Sequence, residues 1–233
     1  MYGEEHPSVA ASYNNIGYIH ASADDPKRAL RFYKKALAIK EKLFGDAHPE
    51  TAISYNNIGG AYDDLEKYDK ALHYYKKALV IHENVYGVEH PDTAISYNNV
   101  GSAYRALEQL EKALDLYLRA SSIWEFAYGT EHPNTALSYN NVGGVYADMN
   151  KHEQAISYYK KALPVDFKHY GEEHPTFATL YNNLGFSYSN LDKLEEALHY
   201  CRKALLIWEK CHGNDHPHTI MVRGSIQNIL DAI

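Results

Sequence analysis

The chain has 233 residues, of which 45% are apolar and 23% charged, and its formal net charge is −7. These proportions are ordinary for a globular protein, and the negative charge argues against a nucleic-acid partner. No apolar run is long enough to span a bilayer, and no secretory signal is recognisable, so we expect no membrane association.

The two cysteines indicate the compartment. Cys201 and Cys211 are the only cysteines in the chain. If they share a helix, ten residues place them about 15 Å apart, which is too far for a disulfide bond. The sequence therefore predicts a reducing intracellular environment, and we expect a cytoplasmic protein.

A His-Pro pair recurs every 42 residues along the whole chain. The histidines are His6, His48, His90, His132, His174 and His216. A fixed period of this length is typical of stacked supersecondary units. We therefore predict one domain over 1–233, with repeats at 7–48, 49–90, 91–132, 133–174 and 175–216 and a partial repeat, a capping helix, at 217–233.

Each repeat predicts two helices, as the second one shows. Pro49 stands where a first-turn proline is tolerated, because its missing N–H would have no helical partner. Apolar and small residues then follow at helical spacing from Ala52 to Tyr62, which indicates one buried face. After a polar turn, a second apolar stripe begins at Tyr68 and ends before Gly87, a residue that helix C-termini favour.

These stripes resemble the tetratricopeptide signature of an aromatic residue, an apolar-Gly pair, tyrosine, alanine, an aromatic and alanine. In the second repeat the positions hold Tyr55, Ile58, Gly59, Tyr62, Ala71, Tyr75 and Ala78. The 42-residue form, HPxTAxSYNNxGxxY…KALxYYxKALxIxExxxG, is similar to that of kinesin light chains. The resemblance implies an all-α fold, a right-handed α-solenoid of about five and a half helix-turn-helix repeats.

The fourth and fifth repeats are among those that depart from the pattern. The fourth has Pro164 inside its second helix, and a proline there removes a backbone hydrogen bond, so we expect this helix to bend or shorten. The fifth has Cys201 where the other repeats carry tyrosine.

Two adjacent asparagines occupy the middle of each first helix. The resemblance implies that the first of each pair points into a concave groove lined by the first helices; this set is Asn14, Asn56, Asn98, Asn140 and Asn182. The second resembles a family asparagine that bonds between neighbouring helices; this set is Asn15, Asn57, Asn99, Asn141 and Asn183.

The first set suits an extended peptide. A side-chain amide offers both a donor and an acceptor, as a peptide backbone does. First helices spaced by roughly 10 Å would meet an extended strand, which advances roughly 3.3 Å per residue, at about every third residue. The alternative is a solvated polar groove without a ligand.

Other predicted groove positions refine the ligand. They are Tyr18, Phe186, Asp63, Asp148 and Arg105, of which Arg105 is the only basic one. A groove that binds a terminal carboxylate needs several basic residues. Kinesin light chains likewise bind their acidic peptides through basic groove residues. We therefore expect a neutral or basic peptide, with aromatic anchors.

The remaining motifs predict no chemistry. The repeat histidines precede helix-starting prolines and favour a structural role over a metal site, and Cys211, His212, His216 and His218 form only a weak zinc pattern. Basic pairs such as Lys76-Lys77 on the second helices predict a solvated outer face. We expect no catalytic residue, no metal and no cofactor.

Three functions remain open. The first is a non-catalytic module that binds an extended peptide, a scaffold or adaptor like the kinesin light chain repeats. The second is a structural or oligomerising scaffold, which exposed apolar side chains on the first helix of repeat one would favour. The third is a sensor arm of a larger multidomain protein.

Overall fold

The computed structural model describes residues 6–171 and 174–233, and within these ranges the chain forms α-helices and no strand. The helices are α1 (Pro7–Ser22), α2 (Pro26–Phe44), α3 (Pro49–Asp63), α4 (Tyr68–Tyr86), α5 (Pro91–Ala106), α6 (Leu110–Tyr128), α7 (Pro133–Asp148), α8 (His152–Tyr170), α9 (Pro175–Ser189), α10 (Leu194–His212) and α11 (Pro217–Ala232). The predicted all-α fold class, a solenoid of helical hairpins, is confirmed.

The chain divides into two compact units, one ending at Ile123 and one beginning at Trp124. In the first unit α1 pairs with α2 and α3 with α4; in the second, α7 pairs with α8 and α9 with α10. Consecutive hairpins also pack on each other, as α2 does on α3 and α8 on α9. The helix α11 packs on α10 and buries Val222 and Ile229. A single domain over 1–233 stays a prediction.

A glycine and an aromatic ring hold the two helices of most hairpins together. A Cβ added at Gly59 would lie 2.5 Å from ring carbons of Tyr75, closer than any contact between carbon atoms at their optimal separation. The equivalent pairs in the other repeats are Gly17–Tyr33, Gly101–Tyr117 and Gly143–Tyr159. The absence of a side chain on the first helix therefore makes room for the tyrosine of the second.

The repeat histidines cap the first helices. His48 has an extended backbone, and its Nδ1 accepts a hydrogen bond from the backbone N–H of Glu50 at 3.1 Å, as an N-cap side chain should. The same cap is made by His6, His90, His132, His174 and His216. The predicted structural role is confirmed. Among the described residues, no three His, Cys, Asp or Glu side chains converge as metal ligands would.

The sequence predicts that the basic pairs on the second helices face solvent. In the structure they also contact tyrosine rings. The Nζ atom of Lys77 lies 5.0 Å from the ring centroid of Tyr55, and that of Lys76 lies 5.0 Å from the centroid of Tyr104. Such cation–π contacts stabilise by about 0.5–1 kcal/mol each at exposed sites. Lys76 and Lys77 are exposed, as the predicted solvated outer face requires, and their ammonium groups also contact neighbouring tyrosine rings.

Pro164 does not shorten its helix. The helix α8 has 19 residues, as α4 and α10 do. The proline lies on an exposed face, while the neighbouring Ala162 and Val165 are buried in the core. The expected shortening was therefore wrong, because packing on both sides of the proline holds the helix together.

Cys201 and Cys211 both lie on α10, and neither forms a disulfide bond. Among the described residues, the structure contains no helix with the length and apolar character that crossing a bilayer requires.

Candidate functional site

In each unit the first helices of successive hairpins lie side by side and form a surface that we call the first-helix face. It consists of α1, α3 and α5 in the first unit and of α7, α9 and α11 in the second. Direct contacts join α3 to α5 and α7 to α9. The predicted asparagines lie on this face.

The asparagines bond from one hairpin to the next. Asn57 Nδ2 donates to Asn14 Oδ1 at 2.6 Å. Longer contacts of 3.5 Å join Asn99 Nδ2 to Asn56 Oδ1 and Asn183 Nδ2 to Asn140 Oδ1. The prediction that the second asparagine bonds between neighbouring helices is confirmed.

Its partner, however, is the first asparagine of the preceding repeat. Sequence reasoning had given the two sets separate roles, because it considered each helix alone. The bond occupies the acceptor of Asn14 strongly and those of Asn56 and Asn140 weakly. These half-buried side chains still offer a ligand the N–H donors of their amides and the second lone pair of each amide oxygen.

A groove runs between α3 and α5. It encloses about 450 Å³ and is lined by Ile53 and Asn56 from α3, by Ile95 from α5 and by Tyr75 and His82 from α4. His82 is buried, and its Nδ1 lies 2.8 Å from Ser96 Oγ. Burial lowers the pKa of His82 below its usual value, although Asp92 opposes the shift. The floor of this groove is therefore uncharged at neutral pH.

A second groove runs between α7 and α9. It encloses about 490 Å³ and is lined by Leu137 and Asn140 from α7, Thr179 from α9 and Trp208 from α10. His218 also lines it, and its ring stacks on Trp208 with centroids 5.2 Å apart. The two grooves thus combine an asparagine of the first set with an apolar side chain one turn earlier.

Sequence reasoning missed these apolar positions. Ile53, Ile95 and Leu137 expose 42%, 42% and 47% of their surface in the grooves. The signal was available, because each is a large apolar residue that falls outside the buried stripe of its helix. The predicted groove residues lie one turn after each asparagine, whereas these apolar residues lie one turn before it.

The other predicted groove residues lie apart from these two grooves. Tyr18 and Phe186 are exposed on α1 and α9, and Asp148 is exposed at the end of α7. Asp63 and Arg105 are half-buried in the last turns of α3 and α5, beyond the groove between those helices. Burial and the neighbouring Asp64 raise the pKa of the Asp63 carboxyl group.

A third cavity, of about 350 Å³, lies between α9 and α11 above Cys201 of α10. Asn182 and Phe186 of the predicted set line it, together with Met221 and Ile229 of α11. Here α10 contributes no tyrosine ring to the floor.

Family models confirm the repeat. Models described as tetratricopeptide repeat match residues 8–81, 50–123 and 92–166, and a further one matches residues 177–218. No curated protein sequence matches the chain significantly.

Solved structures share the fold. The chain is similar to the kinesin light chain nearly identical TPR-like repeats of Podosopora anserina, with 20% identity, a TM-score of 0.71 and coverage of 89% of this chain and 98% of that one. It is also similar to BtubC (BKLC) from P. vanneervenii, with 23% identity, a TM-score of 0.75 and coverage of 91% and 84%. For YrrB the identity is 23%, the TM-score 0.53 and the coverage 95% and 94%. The chain therefore belongs to the tetratricopeptide repeat family, and it shares its fold with the kinesin light chain repeats.

Proposed function

We propose that this protein is a non-catalytic interaction module that binds an extended peptide segment along the first-helix face. The observation that carries the proposal is the pairing, in two separate grooves, of an exposed apolar side chain with an asparagine amide. Solvent-exposed apolar residues in a concave site indicate binding of apolar groups, and amides bind a peptide backbone. The tetratricopeptide repeat family is consistent with a protein-interaction scaffold, which supports the proposal.

The contacts sharpen the chemistry of the ligand. Because neighbouring asparagines engage only one lone pair of each amide oxygen, we expect the amides to donate to peptide carbonyl groups and also to accept from peptide N–H groups. Ile53, Ile95 and Leu137 would contact aliphatic or aromatic side chains, as pockets for alternate residues do in other complexes with extended peptides. YrrB, which shares the fold, is described as a protein with an unusual peptide-binding site. We propose a cytoplasmic protein or peptide as the partner.

Selection from a random-peptide display library tests the proposal. Enriched peptides would then be measured by fluorescence anisotropy against the wild-type chain and against an Ile53→Ala/Ile95→Ala variant. We expect the variant to weaken binding about tenfold, which corresponds to the loss of about 1.4 kcal/mol. Both side chains are half-exposed, so the variant should keep its helical circular dichroism.

The matched control is Val80→Ala/Val85→Ala, which truncates two exposed apolar residues of α4 that do not line the groove. This control should bind the peptides as the wild type does. The proposal fails if no peptide is enriched, or if the groove variant and the control bind equally well.

A second function, an oligomerising scaffold, is favoured by the exposed face of α1. Ile19 exposes 63% of its surface, whereas Ala61, at the same position of the next repeat, exposes 2%. Ile16 is likewise exposed, and its equivalent Ile58 is fully buried. In α3 this face packs on the preceding helix α2, so its counterpart on α1 has the character of an interface.

Light scattering over a range of protein concentrations tests this second function. A scaffold that associates through α1 should give a mass that rises with concentration, and Ile19→Asp should return it to 26.5 kDa. A monomer at every concentration would remove this function and leave the peptide-binding proposal untouched.

A further inference from the structure

The hairpin of α9 and α10 lacks the aromatic ring that fills the other hairpins. Cys201 occupies the position of Tyr33, Tyr75, Tyr117 and Tyr159. A Cβ added at Gly185 would lie 2.5 Å from Cys201 Sγ, much as one added at Gly59 would lie 2.5 Å from the ring of Tyr75. The thiol therefore takes the place of the first ring atoms, and the space of the remaining ring is left over.

That space is open to the first-helix face. It belongs to the cavity of about 350 Å³ between α9 and α11. Its apolar lining includes Phe186, Leu194, Met221 and Ile229, and no charged side chain is among its described lining residues. The cavity is therefore suited to an uncharged, mainly apolar group.

A polar group stands at its edge. In repeats one, two and four, an asparagine of the following repeat donates to the first asparagine. After Asn182 the equivalent residue is Ser225, whose Oγ donates to Met221 O instead. Among the described residues the Asn182 amide makes no side-chain hydrogen bond, so both its donor and its acceptor remain available to a ligand.

Phe186 does not fill the vacated space. It exposes 56% of its surface, and its ring lies edge-on to His152, with centroids 5.9 Å apart. The first repeat shows that an aromatic residue here is compatible with a ring below it. There Tyr18 occupies the equivalent position, and Tyr33 still lies over Gly17. A ring-sized group can therefore occupy the cavity while Phe186 remains in place.

We propose that this cavity is a binding pocket for one uncharged aromatic side chain of the peptide ligand. The proposal rests on the proposed peptide-binding function and adds a specificity-determining site to it. The occupant is chosen because the same fold places a phenol ring at this position in four other repeats. Asn182 would then bond to the backbone of the same peptide residue or its neighbour.

The cysteine acts here by its small size and not as a nucleophile. Burial raises the pKa of the Cys201 thiol to about 11, and the thiolate is the reactive form of cysteine. The thiol is thus protonated at neutral pH and forms an apolar floor.

A side-chain analogue tests the pocket without any peptide. The probe is 4-methylphenol, which reproduces the tyrosine side chain, and the reporter is the ¹³C-labelled methyl group of methionine. The chain has three methionines, and Met221 lines the cavity whereas Met149 does not. We expect saturable shifts of the Met221 signal, nuclear Overhauser contacts between that methyl group and the probe ring, and no response at Met149.

Two variants separate the cavity from its surroundings. Cys201→Tyr restores the residue of the other repeats, and we expect it to weaken 4-methylphenol binding at least tenfold. Cys201→Ala leaves the space open and should bind the probe as the wild type does. The Overhauser contacts need no variant, so the test stands even if Cys201→Tyr folds poorly.

The outcomes are distinguishable from those of the proposed function. The pocket is overturned if the probe does not contact Met221, if Cys201→Tyr binds it unchanged, or if 3-methylbutan-1-ol, an aliphatic probe, binds equally well. If the probe binds but no peptide is enriched in the display selection, the peptide-binding function fails and the aromatic pocket survives. Enriched peptides whose aromatic preference disappears with Cys201→Tyr would support both.

Discussion

The hairpin of α3 and α4 and the hairpin of α9 and α10 share a backbone arrangement but differ in what lies over the glycine of the first helix. In the former, the Tyr75 ring covers Gly59 and fills the space directly over it; in the latter, the Cys201 thiol covers Gly185 and lines a cavity of about 350 Å³. Both glycines are buried, and in both hairpins an added Cβ would meet its neighbour at 2.5 Å.

The difference shows that the close approach of the two helices depends on the glycine and not on the ring. The position of Tyr75 and Cys201 on the second helix is then available for variation, because the residue there determines only how much of the space between the helices is filled. A repeat can in this way exchange stability for a binding pocket at a single residue, since unfilled apolar space destabilises a core.

The largest expected effect comes from making the hairpin of α3 and α4 resemble the hairpin of α9 and α10. Tyr75→Cys removes a buried ring, and truncating a large aromatic residue in a core costs about 3–5 kcal/mol. Urea denaturation should show this loss in the first unit. Tyr86→Cys, at an exposed position of the same helix, is the control and should cost far less.

The same variant should also acquire a cavity over Gly59, into which 4-methylphenol binds and partly restores the stability. A Tyr75→Cys chain as stable as the wild type would contradict the view that the ring holds the hairpin together. A destabilised chain that ignores the probe would show that the cavity of repeat five depends on more than the cysteine.

The adjacent glycines of α3 give the next largest effect. A Cβ at Gly59 would lie 2.5 Å from the Tyr75 ring, but one at Gly60 would meet only the tyrosine hydroxyl oxygen, at an ordinary 3.7 Å. We expect Gly59→Ala to destabilise by about 1–3 kcal/mol through overpacking. Gly60→Ala should instead stabilise by up to about 1 kcal/mol, because alanine favours the helix.

Thermal denaturation followed by circular dichroism measures both glycine variants, and each serves as the control for the other. Opposite signs at neighbouring positions would assign the requirement for glycine to the ring contact. Equal shifts of the same sign would mean that helix propensity alone decides the effect.

The sequence was sufficient to predict the fold because every local signal recurs in register. The His-Pro pair marked each helix start, and the structure explains it through the Nδ1 cap, as at His48 with Glu50. The alternation of glycine and tyrosine likewise predicted the packed faces. These features depend on contacts between residues that are at most about half a repeat apart in the sequence, as His48 and Glu50 or Gly59 and Tyr75 are.

The candidate site was less predictable because it depends on contacts between repeats. The bond from Asn57 to Asn14 crosses 43 positions, and no helical wheel of a single helix shows it. The groove positions Ile53 and Ile95 were missed for a different reason, because the groove residues were predicted one turn after each asparagine and these lie one turn before it. The length of α8 also escaped prediction, because the packing of Val165 offsets the effect of Pro164.

The last prediction concerns His82, which lies at the floor of the groove between α3 and α5. In the groove between α7 and α9, a tryptophan, Trp208, lines the site instead. His82 is buried and contacts Ser96 Oγ, and its pKa is lowered, chiefly by burial. Asp92 raises this pKa and His90 lowers it, but neither outweighs burial. At the equivalent position of repeat five, Trp208 carries no titratable group.

A lowered pKa means that the unfolded chain binds a proton at His82 more readily than the folded one does. The contribution of neutral His82 to stability is therefore complete above the usual histidine pKa of about 6.5 and is lost as the pH falls towards the folded value. We expect the temperature midpoint of thermal unfolding to decrease as the pH is lowered from 7 to 5. The decrease should be smaller in His82→Gln, which keeps a hydrogen-bonding side chain beside Ser96. Because the chain has 14 histidines, only the difference between the two proteins reports on this one. If the unfolding midpoints of the two proteins depend on pH in the same way, His82 does not make the stability depend on pH. The other titratable groups would then account for any loss of stability.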